Sequence, residues 1–126
     1  MVPRPSVIGA LAMAALVVTT APAPALAHAV LLKSIPDSRA VLGRPPDRVQ
    51  IWFNERLEAA FSTVSVWSES GRQVDRQDAA VGPDDAKRLS VSLLPMEPGT
   101  YTVRFRVLSV DSHIVDSSFR FTVKRR

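Results

Sequence analysis

The chain contains no cysteine and only two histidines, His28 and His113, among its 126 residues. Without cysteine, neither disulfide bonds nor thiolate metal ligands are available. A domain of this length must therefore be held together by its hydrophobic core. No apolar run is as long as the roughly 20 residues that cross a bilayer comfortably, and no stretch has the pattern of a long helix.

Residues 1–27 have the pattern of a secretion signal, with a positive charge near the start, an apolar run and a proline-bearing end. The segment closes on Ala25-Leu26-Ala27, a small-residue cleavage motif. We expect cleavage after it, which leaves residues 28–126 as one periplasmic or otherwise exported domain that begins with His28. Cleavage after Ala29 is the alternative and would remove this histidine; an uncleaved anchor is the other alternative.

The distribution of charge argues against binding to nucleic acid. The chain has 16 Lys and Arg against 12 Asp and Glu, a net charge of +4. Arg104, Arg106 and Arg120 alternate with apolar positions, and no aromatic residues are interleaved with them for base stacking. This arrangement is typical of the solvated face of a strand.

Alternating polar and apolar residues predict short strands separated by turns. The clearest strand runs from Thr100 to Leu108. We expect the others at residues 28–34, 40–42, 48–54, 62–68, 88–94 and 117–124. Glu55 to Phe61 is interpreted as a connection, Gln73 to Lys87 as a loop with room for a short strand, and Ser109 to Asp116 as a polar break. About seven antiparallel strands without a long helix predict an all-β Greek-key sandwich or small barrel.

Asp111 and His113 are separated by one residue in this polar break. In extended backbone, residues i and i+2 face the same side, so both side chains could reach one ion. A chain that starts at His28 adds its α-amine and its imidazole as two further nitrogen donors. Three nitrogens and one oxygen suit Cu(II), which prefers tetragonal coordination, whereas Zn(II) would take the same donors in tetrahedral form. Both imidazoles and the amine must lose their protons, so binding weakens in acid.

Several stretches resemble the CopC family of periplasmic copper-binding proteins, and the resemblance spans essentially all of residues 28–126. They are His28 to Pro36, Pro46 to Glu55, Pro98 to Val103, Ser109 to Val115 and Phe119 to Val123. The resemblance implies a cupredoxin-like Greek-key β-barrel that holds one Cu(II) by His28, Asp111 and His113. It also implies a monomeric copper carrier or sequestering protein rather than an enzyme, which serves copper homeostasis or resistance or delivers copper to a membrane importer of the CopD type.

The chain departs from the family at the candidate ligands. The family usually reads Asp-Gly-His-Pro, whereas this chain has Asp111-Ser112-His113-Ile114. Ser112 introduces a Cβ where glycine tolerates positive φ, and Ile114 lacks the fixed φ of proline. Both changes keep the ligands, so we expect them to alter affinity. Met96 is the single methionine after residue 27, and Cu(I) sites generally need several thioethers, so we expect no Cu(I) site.

Two other functions stay open at this point. N-terminal histidine braces also occur in copper monooxygenases that attack polysaccharides, although one tyrosine and two tryptophans offer no obvious flat platform for a glycan. A structural Ig-like sandwich in which His28 and His113 are incidental is the other.

Overall fold

The computed structural model describes residues 2–5, 9, 12–20 and 30–125. His28 and the junction at Ala27 lie outside the described residues, so the signal peptide and its cleavage stay predictions. None of the helices within the described ranges is long and apolar enough to cross a membrane.

The domain is a sandwich of two four-stranded sheets, with the strand orders β1-β3-β6-β5 and β2-β8-β7-β4. The strands are β1 (Leu31–Ile35), β2 (Val41–Leu42), β3 (Arg48–Phe53), β4 (Thr63–Ser68), β5 (Ala80–Val81), β6 (Arg88–Ser92), β7 (Gly99–Leu108) and β8 (Ile114–Val123). A short 3-10 turn, Ala59–Phe61, separates β3 from β4. The predicted all-β Greek-key fold is confirmed. The described strands number eight rather than about seven, and β2 pairs with β8 in parallel, not antiparallel as predicted.

The core lies between the sheets and follows the alternation of the sequence. Val49, Ile51 and Phe53 of β3 are buried, as are the alternate residues of β7 from Tyr101 to Val107. The ring of Phe53 meets that of Phe105 edge to face, with centroids 5.6 Å apart. Aromatic pairs of this geometry add to the burial of apolar area, so this contact helps to join the two sheets.

The last strand begins three residues earlier than residue 117, where we predicted it to start. The ladder between β7 and β8 is continuous from Gly99–Val123 to Leu108–Ile114. Residues 114–118 are mostly exposed, so the sequence shows no alternation of apolar and polar residues that would mark them as a strand. Cross-strand hydrogen bonding to a well-patterned neighbour extends the strand to the edge of the polar loop.

Candidate metal centre

The loop between β7 and β8 is organised by Ser109, which is 1% exposed. Its N–H donates to the carbonyl of His113 at 2.9 Å, and its carbonyl accepts from the N–H of Ser112 at 2.9 Å. Its hydroxyl donates to Oδ1 of Asp111 and accepts from the N–H of His113 at 3.3 Å. One buried serine therefore fixes the turn and contacts both predicted ligands.

The loop brings Asp111 and His113 together as predicted, but it does so through a turn with Ser112 at positive φ rather than through the extended backbone from which we predicted the approach. Oδ2 of Asp111 lies 3.1 Å from Nδ1 of His113, and each side chain is about one-third exposed. Two donors about 2 Å from one ion and at right angles to each other lie roughly 3 Å apart. The pair thus has a separation that suits two neighbouring ligands of one metal ion.

The electrostatics of the loop keep Asp111 ionised. The hydrogen bond from Ser109 holds the pKa of the Asp111 carboxyl below its usual value, and His113 lowers this pKa further. A carboxylate oxygen has about two acceptor positions, so these contacts leave Asp111 with capacity for a metal ion.

Ser112 has a left-handed backbone conformation with φ of 71°. Glycine adopts this region readily, whereas a residue with a Cβ pays roughly 1 kcal/mol or more for it. The strain expected from the Asp-Ser-His sequence is therefore present in the loop. The hydrogen bond from Ser112 to Ser109 closes the turn despite this strain.

The segment that follows β3 ties this loop to the start of the domain. Val30 donates its N–H to Oδ1 of Asn54 at 2.6 Å and accepts the N–H of Asn54 at 3.1 Å. A few residues later, Leu57 forms a β-bridge with Ser109, and the carbonyl of Arg56 accepts the N–H of Val110 at 2.9 Å. The first described residue of the domain and the loop are thus attached to the same short segment.

No group of three or more His, Asp or Glu side chains close enough to hold a metal ion occurs within the described residues. Asp111 and His113 form a pair, and the third predicted ligand, His28, falls in the part of the chain that is not described. Sequence reasoning missed Ser109 and Asn54. The signal for Ser109 was its position two residues before an aspartate, a spacing at which Ser and Asp side chains bond locally.

The fold and the loop define a class of protein: a two-sheet Greek-key domain with an Asp-x-His pair at one end. A family model described as CopC domain matches residues 31–124. The chain therefore belongs to the CopC family, as its sequence motifs indicated.

Individual relatives agree with this assignment. The chain is 31% identical to copper resistance protein C of Escherichia coli, over 79% of this chain and 84% of that protein. It is 29% identical to the copper transport protein CutJ of Bacillus subtilis, over 81% of this chain but only 19% of that protein. Among solved structures it is similar to CopC from Methylosinus trichosporium OB3b, with a TM-score of 0.71 and 31% identity over 77% of this chain and 94% of that one. Both of these relatives are named for copper, one for copper resistance and one for copper transport.

Proposed function

We propose that the protein is an exported Cu(II)-binding protein that carries or sequesters one copper ion through His28, Asp111 and His113. The observation that carries the proposal is the pair of Asp111 and His113, 3.1 Å apart on a loop fixed by a buried serine. The names of two relatives, which refer to copper resistance and copper transport, support copper as the metal.

The register of β1 supports a place for His28 in the same site. At the start of this strand, Val30 and Asn54 exchange two hydrogen bonds. A chain that continued the antiparallel register by two residues would bring residue 28 opposite Arg56. Arg56 in turn accepts the N–H of Val110, the residue directly before the first ligand of the loop. A chain that begins at residue 28 would therefore begin beside the loop.

The proposed set of donor atoms favours Cu(II) as the metal and carriage of the ion as the function. The amine and imidazole of His28, the imidazole of His113 and one carboxylate oxygen of Asp111 give three nitrogens and one oxygen, which suit Cu(II) in a tetragonal site. Zn(II) would be a weaker substitute, because it follows Cu(II) in the Irving–Williams order. Four protein donors leave no open equatorial position for a reacting molecule, which suits carriage of the ion rather than chemistry on it.

We propose that the protein is a monomer in the periplasm or an equivalent compartment and that it passes copper to a membrane importer of the CopD type. The similarity to CutJ supports a link to copper transport, because the matching region is about a fifth of a protein named for it. Removal of residues 1–27 is then a condition for activity, since only cleavage creates the amine ligand.

The test is a Cu(II) titration of the processed protein against a competing chelator, with EPR of the loaded protein. We expect one tetragonal site with nitrogen hyperfine structure. His113→Ala, and separately one alanine added before His28, should each weaken binding by more than about 100-fold, because loss of a ligand costs more than the 10- to 100-fold typical of outer partners. Asp116→Ala is the matched control, since Asp116 is an exposed carboxylate of the same hairpin outside the site.

Two results would contradict the proposal. One is copper binding by the processed protein that is no tighter than binding by the His113→Ala variant. The other is N-terminal sequencing of the exported protein that begins at Val30 rather than at His-Ala-Val, because His28 would then be absent.

A further inference from the structure

Several exposed apolar side chains lie at the end of the molecule that carries the loop between β7 and β8, which we call the copper loop. Phe61, Val110 and Ile114 are 67%, 49% and 54% exposed. Val110 and Ile114 directly flank the segment from Asp111 to His113 in the sequence. Contiguous exposed apolar patches on soluble proteins mark interaction sites, whereas single exposed apolar residues need no explanation.

Phe61 and Ile114 form a row across the second sheet with Leu108, which is partly exposed between them. Leu108 pairs with Ile114 in the β7–β8 ladder. Phe61 comes two residues before β4, and continuing the β4–β7 register from the Thr63–Arg106 pair sets it opposite Leu108 on the other side. Phe61 is exposed, and because Val107 is buried, the alternation along β7 and its pairing with β8 direct Leu108 and Ile114 outward. We call Phe61, Leu108 and Ile114 the apolar row.

The outward face beside the apolar row is positively charged. Arg104, Arg106 and Arg120 are exposed on β7 and β8. Among the described residues, Arg106 alone of the three forms an ion pair, with Asp116 at 3.3 Å. Arg104 lies over the ring of Trp67, with its guanidinium carbon 5.4 Å from the ring centroid. Two arginine charges are thus available to carboxylates from outside.

We propose that this face binds a partner protein, with apolar side chains against the apolar row and carboxylates against Arg104 and Arg120. Such a partner would also cover the copper loop, so the inference rests on the proposed function and makes the partner the donor or receiver of the ion. Apolar contact would supply most of the affinity, while the arginines would raise the association rate and select an acidic surface.

Two other occupants fit this face less well. A second copy that docks face to face about a two-fold axis would bring the arginines of both copies together. An anionic membrane would attract the arginines but would repel Glu58 and Asp111, which are exposed beside the apolar row. A protein partner can match both the apolar end and the basic part of the face.

The experiment uses the processed protein in its own host, with a photo-crosslinking amino acid at position 61 or at position 114. The control carries the crosslinker at Ile35, which is 53% exposed on β1 of the other sheet. We expect positions 61 and 114 to crosslink to one and the same protein, identified by mass spectrometry, and position 35 not to do so. Crosslinking at position 61 should fall several-fold when Arg104→Glu and Arg120→Glu are introduced.

A transfer assay with the identified protein completes the test. Phe61→Asp should slow copper transfer to or from it by about tenfold, with the Cu(II) affinity of the chain alone unchanged within about twofold. Ile35→Asp, in the other sheet, should leave both quantities unchanged. An adduct with a second copy, an adduct with lipid only, no adduct, or transfer that Phe61→Asp leaves unchanged would overturn the inference. Failure of the wild type to bind copper would instead overturn the proposed function, so the two failures are distinguishable.

Discussion

The carboxylates of Asp75 and Asp111 both accept hydrogen bonds from residues nearby in the chain, but the two residues use their oxygens differently. Asp75 is 4% exposed. Its Oδ2 accepts the N–H of Val66 at 2.8 Å, its Oδ1 accepts the N–H of Gln77 at 2.8 Å, and the amide of Gln73 donates to it at 3.1 Å. Neighbouring protein groups therefore satisfy both oxygens of Asp75.

Asp111 has fewer partners and more solvent. It accepts the hydroxyl of Ser109 and faces the imidazole of His113, with about one-third of its side chain exposed. A carboxylate whose oxygens are saturated by protein N–H groups has a structural role, whereas one with remaining acceptor positions and access to solvent can bind an ion. Burial and the number of partners, rather than residue type, therefore separate a structural aspartate from a candidate ligand.

Replacing each of the two aspartates by alanine should have the largest effects, on stability at Asp75 and on Cu(II) binding at Asp111. Asp75→Ala should lower the free energy of unfolding by about 3 kcal/mol, because it strands buried N–H donors that the carboxylate satisfied. Asp111→Ala should change stability by less than about 0.5 kcal/mol and should instead weaken Cu(II) binding. Urea unfolding of the metal-free proteins, followed by tryptophan fluorescence, measures the first effect, and a chelator competition measures the second. Equal loss of stability in both variants would break the distinction.

The sequence predicted most of the fold because the central strands carry a complete alternating pattern. Tyr101, Val103, Phe105 and Val107 point into the core as expected, and so do the alternate residues of β3. The start of β8 at Ile114 and the two-residue parallel pairing of β2 could not be predicted, since both depend on hydrogen bonds to a neighbouring strand. Such pairings leave little trace in the hydrophobic pattern.

The candidate site could be predicted only in part. The approach of Asp111 and His113 to 3.1 Å was predicted, but from extended backbone, whereas a turn with Ser112 at positive φ produces it. The spacing of Ser109 to Asp111 signals a local hydrogen bond, but the sequence does not show that this serine is buried, so its role in fixing the loop was missed. Asp75 was missed for the same reason. His28 stays a prediction, since its place depends on a cleavage outside the described residues.

Ser109→Ala should weaken Cu(II) binding by disturbing the position of Asp111 and His113. It removes the hydroxyl that contacts Asp111 and the N–H of His113, so the Cu(II) affinity should fall by about 10- to 100-fold, as is typical when an outer partner is lost. The EPR spectrum should change with the affinity, which a loss of stability alone would not cause. Ser62→Ala is the matched control, because this buried hydroxyl binds Leu108 rather than a ligand. Equal affinities for the two variants would contradict a positioning role for Ser109.

Ser112→Gly should have a smaller effect, on stability. Glycine removes the cost of a Cβ at φ of 71°, so the free energy of unfolding should rise by up to about 1 kcal/mol. Ser38→Gly, at an exposed turn position without positive φ, should instead lower it slightly, because glycine gains entropy in the unfolded chain. Thermal unfolding of the metal-free proteins compares the two. A loss of stability in Ser112→Gly would show that the serine is favoured in this loop for a reason other than its backbone conformation.

The smallest effect concerns the titration of Asp111 itself in the metal-free protein. Since the hydrogen bond from Ser109 lowers its pKa, the carboxyl resonance of Asp111 in NMR should titrate with a midpoint below its ordinary value of 3.8. A lowered pKa contributes stability that is present above the unfolded value and is lost as the pH falls through the folded value. Ser109→Ala should raise the midpoint toward 3.8, whereas Ser62→Ala should leave it unchanged. A wild-type midpoint at or above the ordinary value would mean that the serine does not hold the ionised carboxylate, and the difference between Asp111 and Asp75 would then lie in their burial alone.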